Sequence, residues 1–209
     1  MKLLVKTPKF VPWIYPKRIW AFSRNEPSIY LTFDDGPIPE VTPWVLETLK
    51  KFKAKATFFC IGDNIKKHPH IFKSLLDGGH SVGNHTFHHV KGTKTNLTTY
   101  LEEVALCESY LNSASEKLFR PPYGQMTSQQ AKALLKQGYK IIMWDIISFD
   151  WDQRISKEAC LQNVIKHLQP GSIVVFHDSI KAEKNLRYAL PKVLETIEVK
   201  GWNCATLTA

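Results

Sequence analysis

The sequence has few cysteines, and none of them are closely spaced. The four are Cys60, Cys107, Cys160 and Cys204, each standing alone in a chain of 209 residues. Structural zinc sites and small disulfide-bonded domains both need cysteines in paired spacings, so this pattern argues against either class. We expect four free, reduced thiols, as is usual for a cytoplasmic protein.

Long apolar runs are also missing. No stretch approaches the roughly 18 residues that a transmembrane helix requires. Lysine and arginine interrupt the first 20 residues before the apolar core of a signal peptide could form. We therefore predict neither a transmembrane segment nor a recognisable signal peptide. The predicted location is cytoplasmic or unknown, and peripheral contact with a membrane is still allowed.

Acidic residues are fewer than basic ones. The chain has 19 Asp and Glu against 28 Lys and Arg, a formal net charge of +9. This excess favours anionic partners such as acidic glycans or membrane surfaces. No nucleic-acid-binding motif accompanies the charge, so we predict no nucleic-acid partner. Lys91 and Lys94 are candidates for the rim of a substrate site.

Apolar or β-branched stretches alternate with amphipathic ones along the chain, and no linker or repeat divides them. This alternation predicts one core in an α/β fold and a parallel sheet that curls into a barrel. We also expect a monomer. Residues 1–27 form an aromatic-rich segment that we expect to pack on the barrel of residues 28–209. The predicted strands are 28–33, 56–61, 80–83, 117–119, 140–144, 172–176 and 203–207, and the predicted helices are 41–52, 65–77, 97–111, 128–137, 157–168 and 183–199.

Two clusters of polar residues indicate a metal-dependent site. Asp34 and Asp35 follow the first of these predicted strands, where an isolated Asp-Asp-Gly-Pro would be read as a surface turn. His85 and His89 are four residues apart, so on a helical turn both imidazoles would face the same side. A carboxylate from elsewhere would complete a His, His, Asp set that leaves positions free for water and substrate.

Two further histidines lie nearby. His80 begins a predicted strand, and we interpret it as structural. His88 is three residues from His85, which makes it either a rim residue or an alternative ligand.

Five segments, taken in order, resemble the motifs of the NodB-type polysaccharide deacetylases, carbohydrate esterase family 4. The resemblance covers nearly the whole chain from about Ser28, and it implies a distorted (β/α)7 barrel with parallel strands, the NodB homology domain. Such a barrel carries its site at the carboxyl ends of its strands, where all these motifs fall. The segments are Thr32-Phe33-Asp34-Asp35-Gly36-Pro37, Gly83-Asn84-His85-Thr86 through His89, Arg120-Pro121-Pro122-Tyr123-Gly124, Asp150-Trp151 and Val174-Val175-Phe176-His177-Asp178.

Roles follow from the resemblance and from the chemistry of amide hydrolysis, which needs an activated water, a stabilised oxyanion and a proton for the amine. Asp35, His85 and His89 are the predicted ligands of one divalent metal, with zinc the first choice and cobalt, manganese and nickel the alternatives. Asp34 is the predicted base, and it would point away from Asp35 if the backbone were extended. The family gives the role of general acid to the residue at His177.

Supporting roles are assigned in the same way. Arg120 could orient Asp34 by a bidentate hydrogen bond. Asp150 could hold the His177 imidazole or pair with Arg120, and the sequence leaves both open. In the family, the motif at Arg120 forms a groove wall, and the backbone N–H at Tyr123 helps to stabilise the oxyanion. The predicted substrate-binding residues are Tyr123, Pro122, Trp151 and Val175.

The chain departs from the family pattern at a few positions. Ile147 stands where an acidic residue often precedes the Asp-Trp pair, with Asp145 offset by two. His88 replaces a residue that is often small, and Val90 replaces a common proline. None of these changes removes a predicted ligand, acid or base, although they indicate an altered groove.

These observations predict a metal-dependent hydrolase that removes N-acetyl groups from an N-acetylglucosamine-type sugar. Peptidoglycan or a chitin-like oligosaccharide is the expected glycan substrate. One alternative is a related amide hydrolase acting on a lipid-linked sugar or a small cyclic amide, because a fold and a metal site do not dictate the substrate. The other is a catalytically silent glycan-binding domain, against which the presence of both Asp34 and His177 argues.

Overall fold

The computed structural model describes residues 4–111 and 116–207. Within these ranges the strands are β1 Arg18–Ile19, β2 Ser28–Asp34, β3 Thr57–Cys60, β4 Ser81–Asn84, β5 Leu118–Phe119, β6 Lys140–Ile142, β7 Ile146–Ile147, β8 Ile173–His177 and β9 Asn203–Cys204. The α-helices are α1 Val11–Ile14, α2 Thr42–Lys51, α3 Gly62–Lys67, α4 Pro69–Asp77, α5 Leu97–Glu108, α6 Ser128–Lys136, α7 Lys157–Ile165 and α8 Glu183–Val199.

The strands pair in parallel and curl into an incomplete barrel. Their order is β1-β6-β5-β4-β3-β2-β8-β7, and β9 pairs only with the first residues of β2. The predicted parallel α/β barrel is confirmed. Strands β1 and β7 were not predicted, because two residues are too few to show any periodicity. One predicted helix, 65–77, is two helices, since Pro69 begins α4 and disfavours helical backbone at the residue before it.

The core lies on both sides of the sheet, which explains why its strands are apolar almost throughout. Ile29, Leu31 and Phe33 of β2 are fully buried in the layer that the helices cover. A second cluster contains Phe59 and Ile142, from strands on opposite parts of the barrel. A strand apolar on both faces is held firmly, so polar residues at its end are held in fixed positions.

The segment before β2 lies along both open edges of the barrel. At one edge, β1 pairs with β6. At the other, the Ile147 N–H donates to the Val5 carbonyl, and the Thr7 N–H donates to the Asp145 carbonyl, both at 2.9 Å. The segment thus satisfies backbone groups that an incomplete barrel would leave unpaired. The first three residues of the predicted N-terminal unit lie outside the described residues, and its boundary at residue 27 stays a prediction.

The expectation that this segment packs its aromatic residues on the barrel is only partly right. Trp20 and Phe22 pack against the buried clusters. Phe10, Trp13 and Tyr15 are exposed and are not among the residues packed on these clusters. Trp13 is 84% exposed.

Two further predictions concern the rest of the chain. The four cysteines are all free, and Cys60, Cys107 and Cys160 are buried. In the described part of the chain, no helix combines the length and apolar character needed to cross a bilayer.

Gly171 provides a test of how the N-terminal segment is attached. It has φ 76°, its carbonyl accepts from the Phe22 N–H, and a Cβ there would lie 2.4 Å from the Phe22 carbonyl oxygen. Gly171→Ala should lower the free energy of unfolding by about 2–4 kcal/mol, combining the left-handed backbone with overpacking. Gly138→Ala is the control, because Gly138 has φ 83° and open space around it. Urea denaturation measures both, and equal losses would contradict the attachment.

Candidate active site

The predicted catalytic residues meet at the carboxyl ends of the strands. Asp34 ends β2 and His177 ends β8, and the two are direct partners in the register of these neighbouring strands. His85 follows β4, Arg120 follows β5 and Asp150 lies beyond β7. A cleft of about 550 Å³ opens at this edge, and all of these except the buried Arg120 and Asp150 line it.

A tight turn places Asp34 and Asp35 at the same cleft. Asp35 has φ 85°, so the backbone is not extended here, and the condition under which the two carboxylates were expected to point apart is not met. The buried Asp178 clamps the turn, since its Oδ1 accepts from the Gly36 N–H at 3.0 Å and its Oδ2 from the Thr42 hydroxyl at 2.6 Å. A Cβ on Gly36 would lie 1.9 Å from Asp178 Oδ2, so only glycine fits there.

Asp178 was not predicted as a site residue. The sequence indicated it only through its position directly after His177 in the fifth motif. Burial raises the pKa of Asp178 to about 8, although hydrogen bonds from Thr42 and Gly36 favour its charged form. Asn64 is a second unpredicted support, donating to the Asp35 carbonyl at 2.7 Å. No motif marked Asn64, and it lay just outside the predicted helix 65–77, whereas α3 begins at Gly62 and includes it.

Asp35, His85 and His89 form one compact cluster of donor atoms. Their ligand atoms lie within 4.8 Å of one another, with Asp35 Oδ1 3.3 Å from His89 Nε2 and 3.8 Å from His85 Nε2. The helical turn invoked to bring the histidines together is wrong. Thr86 and His89 have positive φ of 62° and 56°, and this bent loop sets the rings 5.0 Å apart.

The protonation states in this cluster suit a divalent cation. Burial lowers the pKa of His85 to about 4, and burial also lowers the pKa of His89. The His85 Nδ1 lies 2.7 Å from the Arg120 carbonyl, which can only accept, so the proton is on Nδ1 and the Nε2 lone pair faces Asp35. Burial raises the pKa of Asp35, but His177, His85, His89 and the Ser179 hydroxyl together bring it below its usual value.

Two neutral imidazoles and one carboxylate make a mixed nitrogen and oxygen donor set, which fits zinc and similar cations. The His85 hydrogen bond to a backbone carbonyl is the kind of contact that fixes a metal-ligating ring. The residues present therefore fit a divalent metal.

The other two histidines lie away from this cluster. His88 is exposed and its Nδ1 contacts Glu103 Oε1 at 2.8 Å, so the rim interpretation is favoured over the alternative ligand. His80 is buried and its Nδ1 accepts from the Ala56 N–H. Its structural interpretation agrees with this contact.

Arg120 orients Asp34, but not in the bidentate geometry expected. Its side chain is fully buried, and Nη1 donates to Asp34 Oδ1 and to the Thr32 hydroxyl, both at 2.7 Å. The remaining nitrogens donate to backbone carbonyls of Ile142 and Met143 at the end of β6. With these nitrogens engaged, only Nη1 donates to the carboxylate.

Asp150 pairs with His177, which resolves the choice that the sequence left open. Asp150 Oδ1 lies 2.9 Å from His177 Nδ1, and Oδ2 accepts from the His177 backbone N–H. Burial alone would lower the pKa of His177, but Asp150, with help from Asp35 and Asp34, raises it to about 9. The contact with Asp150 therefore favours the protonated form of His177.

Three of the four predicted substrate-binding residues line the cleft. These are Tyr123, Trp151 and Val175. Pro122 does not, because it is buried and its neighbour Pro121 takes that place. Ile147, the departure in the fourth motif, lies in the cleft wall and makes it more apolar. Of the predicted basic rim, the Lys91 Nζ lies 5.8 Å from the centre of the Tyr123 ring.

Comparison with known proteins gives consistent matches. The family described as polysaccharide deacetylase matches residues 22–142. A peptidoglycan-N-acetylglucosamine deacetylase of Bacillus cereus is 35% identical over 201 residues, covering 93% of this chain and 72% of that protein. A chitooligosaccharide deacetylase of Azorhizobium caulinodans is 34% identical over 199 residues, covering 90% of this chain and 86% of that protein.

A solved structure matches over nearly the full length. It is a peptidoglycan N-acetylglucosamine deacetylase in complex with 4-naphthalen-1-yl-N-hydroxybenzamide, with a TM-score of 0.88 and 32% identity. The match covers 96% of this chain and 95% of that chain. The similarity therefore extends beyond the residues that the family comparison matches.

Metal content tests the donor cluster directly. Asp35→Ala and His89→Ala should each lose a tightly bound divalent cation, because each removes one of three donors. Elemental analysis of the purified variants measures this. His88→Ala is the matched control, since His88 is in the same loop but contacts Glu103, and it should keep its metal. Wild-type metal content in the first two variants would show that the ligands are elsewhere.

Proposed function

This chain belongs to the polysaccharide deacetylase family, and from this premise we propose that it removes N-acetyl groups from N-acetylglucosamine-type sugars of peptidoglycan or a chitin-like oligosaccharide. One observation supports this most strongly. His177, held by the buried Asp150, lies at the same cleft as the Asp35, His85 and His89 cluster. Together these two features can supply an activated water and a proton for the leaving amine, whereas binding a glycan needs neither.

We assign the role of base to Asp34. Its Oδ1 accepts from Arg120, while no hydrogen bond among the described residues uses its Oδ2. That oxygen is available to take a proton from the attacking water as the water oxygen bonds to the acetyl carbon. Holding one oxygen rigidly leaves the other in a fixed direction, which reduces the reorganisation needed for proton transfer.

We assign the role of acid to His177. Its Nδ1 is held by Asp150, so Nε2 is left to donate a proton to the amine nitrogen as the bond between carbon and nitrogen breaks. The products are acetate and a free amino sugar. Trp151 packs edge-on against the imidazole at 4.5 Å and helps to fix its direction.

A backbone donor and a bound cation would together stabilise the oxyanion. Tyr123 has φ 59°, and no described residue accepts a hydrogen bond from its N–H. We assign this N–H to the developing oxyanion. The cation held by Asp35, His85 and His89, for which we propose zinc, supplies Lewis acidity toward the carbonyl oxygen and the attacking water when bound.

A substrate panel tests the proposal. Acetate release should be measured on N-acetylglucosamine oligomers and on peptidoglycan, with and without a chelator. Acetate release that the chelator abolishes is the expected result. Formate or ammonia instead of acetate would indicate the related amide hydrolase, and glycan binding without any release would indicate a silent binding domain.

Asp34→Asn tests the base. The amide preserves the shape of the carboxylate and leaves the metal donors in place, so metal content should be unchanged. A fall in kcat of at least about a hundredfold is expected when a general base is lost. Steady-state kinetics and elemental analysis on the same sample measure both. Full activity in this variant would mean that another group is the base.

His177→Ala tests the acid. Because the pKa of His177 is about 9, wild-type activity should be lost as pH rises through this value and the imidazolium loses its proton. The variant should lack this alkaline limb. It should be impaired strongly on the amide but much less on an activated acetate ester, whose leaving group needs little protonation. Equal impairment on both substrates would instead make His177 a positioning residue.

A further inference from the structure

The short helix α1 presents an apolar face to solvent. Phe10, Trp13 and Ile14 are spaced i, i+3 and i+4, so their side chains lie on one side of the turn. They are 58%, 84% and 60% exposed. Side chains of this size are usually covered, and a contiguous apolar patch on a surface marks an interaction site.

Basic residues surround this face. Next to it is a groove of about 560 Å³ whose lining includes Ile14, Tyr15 and four cations, and no carboxylate. The cations are Lys17, Arg18, Lys132 and Lys136. None of the ion pairs between described residues involves any of these four, nor Lys9 at the start of α1. The first acidic residue of the chain is Glu26.

This region lies away from the cleft. Tyr15 and Lys17 precede β1, which runs parallel to β6, so they lie at the amino-terminal edge of the strands. The cleft is at the opposite, carboxyl-terminal edge. Lys136 ends α6, which returns toward that same amino-terminal edge and leads into β6.

We propose that Phe10, Trp13 and Ile14, with the cations Lys9, Lys17, Arg18, Lys132 and Lys136, form a docking surface for an anionic lipid bilayer. We call it the basic aromatic patch. Aromatic side chains partition to the level of lipid headgroups, and nearby cations are attracted by anionic lipids. This combination on a short amphipathic segment is typical of proteins that lie on a membrane without spanning it.

Charge and shape favour a bilayer over other occupants. A second copy of this chain docked patch to patch would bring five cations against five, with no carboxylate to pair them. Trp13 protrudes with most of its surface free, which suits insertion into a fluid interface better than fit into a rigid partner. The inference does not depend on the proposed function, because the patch and the cleft share no residue.

Docking through the basic aromatic patch would orient the molecule. The amino-terminal edge of the barrel would face the lipid, and the cleft at the carboxyl-terminal edge would face away from it. A membrane-bound molecule could then still reach a polymer in the surrounding solution.

Vesicle binding tests the proposal. The full chain is sedimented with vesicles of phosphatidylcholine alone and of phosphatidylcholine with equal parts phosphatidylglycerol, and the partition coefficient is measured. Strong binding is expected only with phosphatidylglycerol, and it should weaken as salt increases. Trp13→Ser should weaken it several-fold, and the double variant Lys132→Glu with Lys136→Glu at least about tenfold.

Matched controls separate the patch from overall charge and folding. Lys50→Glu with Lys66→Glu changes net charge equally on α2 and α3, and Val199→Ser removes an apolar side chain that is 88% exposed on α8. Both controls should bind vesicles nearly as well as the unmodified chain. Thermal unfolding confirms that every variant is folded.

Several outcomes would overturn the proposal. These are equal binding to both vesicle types, equal losses in the patch and control variants, or no binding at low salt. Sedimentation velocity without vesicles could give a further contradicting outcome. If Trp13→Ser converts a dimer to a monomer and neither form binds vesicles, the patch is a contact between copies of the chain.

Discussion

The buried guanidinium of Arg120 is the contact on which the site depends. It joins β2 to β6 by donating to Asp34 at the end of one and to backbone carbonyls at the end of the other. Its backbone N–H donates to the Asn84 carbonyl, and its own carbonyl holds the His85 ring. Phe59 stacks beneath the guanidinium at 4.1 Å. One residue therefore orients both the proposed base, Asp34, and a proposed metal ligand, His85. Removing either partner of such a buried pair typically costs roughly 3–5 kcal/mol.

The open edges of the barrel depend on the N-terminal segment. An open sheet edge invites pairing with other chains, and this protein covers both edges of its incomplete barrel with residues from one short stretch. The hydrogen bond from Thr7 to Asp145, and that from Phe22 to Gly171, tie this stretch to the chain beside β7 and β8. Because it is anchored at these points, α1 is held outward with its aromatic residues exposed.

Much of the fold and site could be predicted from the sequence, because the carboxyl ends of the strands in a parallel barrel meet at one edge independently of loop conformation. The positions of Asp34, His85 and His177 followed from this rule. The rest depended on loop backbone that no periodicity reveals. The left-handed conformation of Asp35 and the clamp by Asp178 are set by tertiary contacts, and so is the choice of His177 as the partner of Asp150. The exposed side chains of α1 were missed because aromatic residues are usually a sign of burial.

The register of β2 and β8 has a consequence for how such an enzyme can change. Asp34 and His177 stand directly opposite each other on hydrogen-bonded neighbours, so their backbones are separated by the spacing between strands, about 4.8 Å in any sheet. That distance is set by the hydrogen-bonded backbones of the two strands and not by any loop. The groove walls at Tyr123, Ile147 and Trp151 belong to other parts of the chain. Substitutions in the walls can therefore change selectivity while the spacing between the backbones of Asp34 and His177 stays the same.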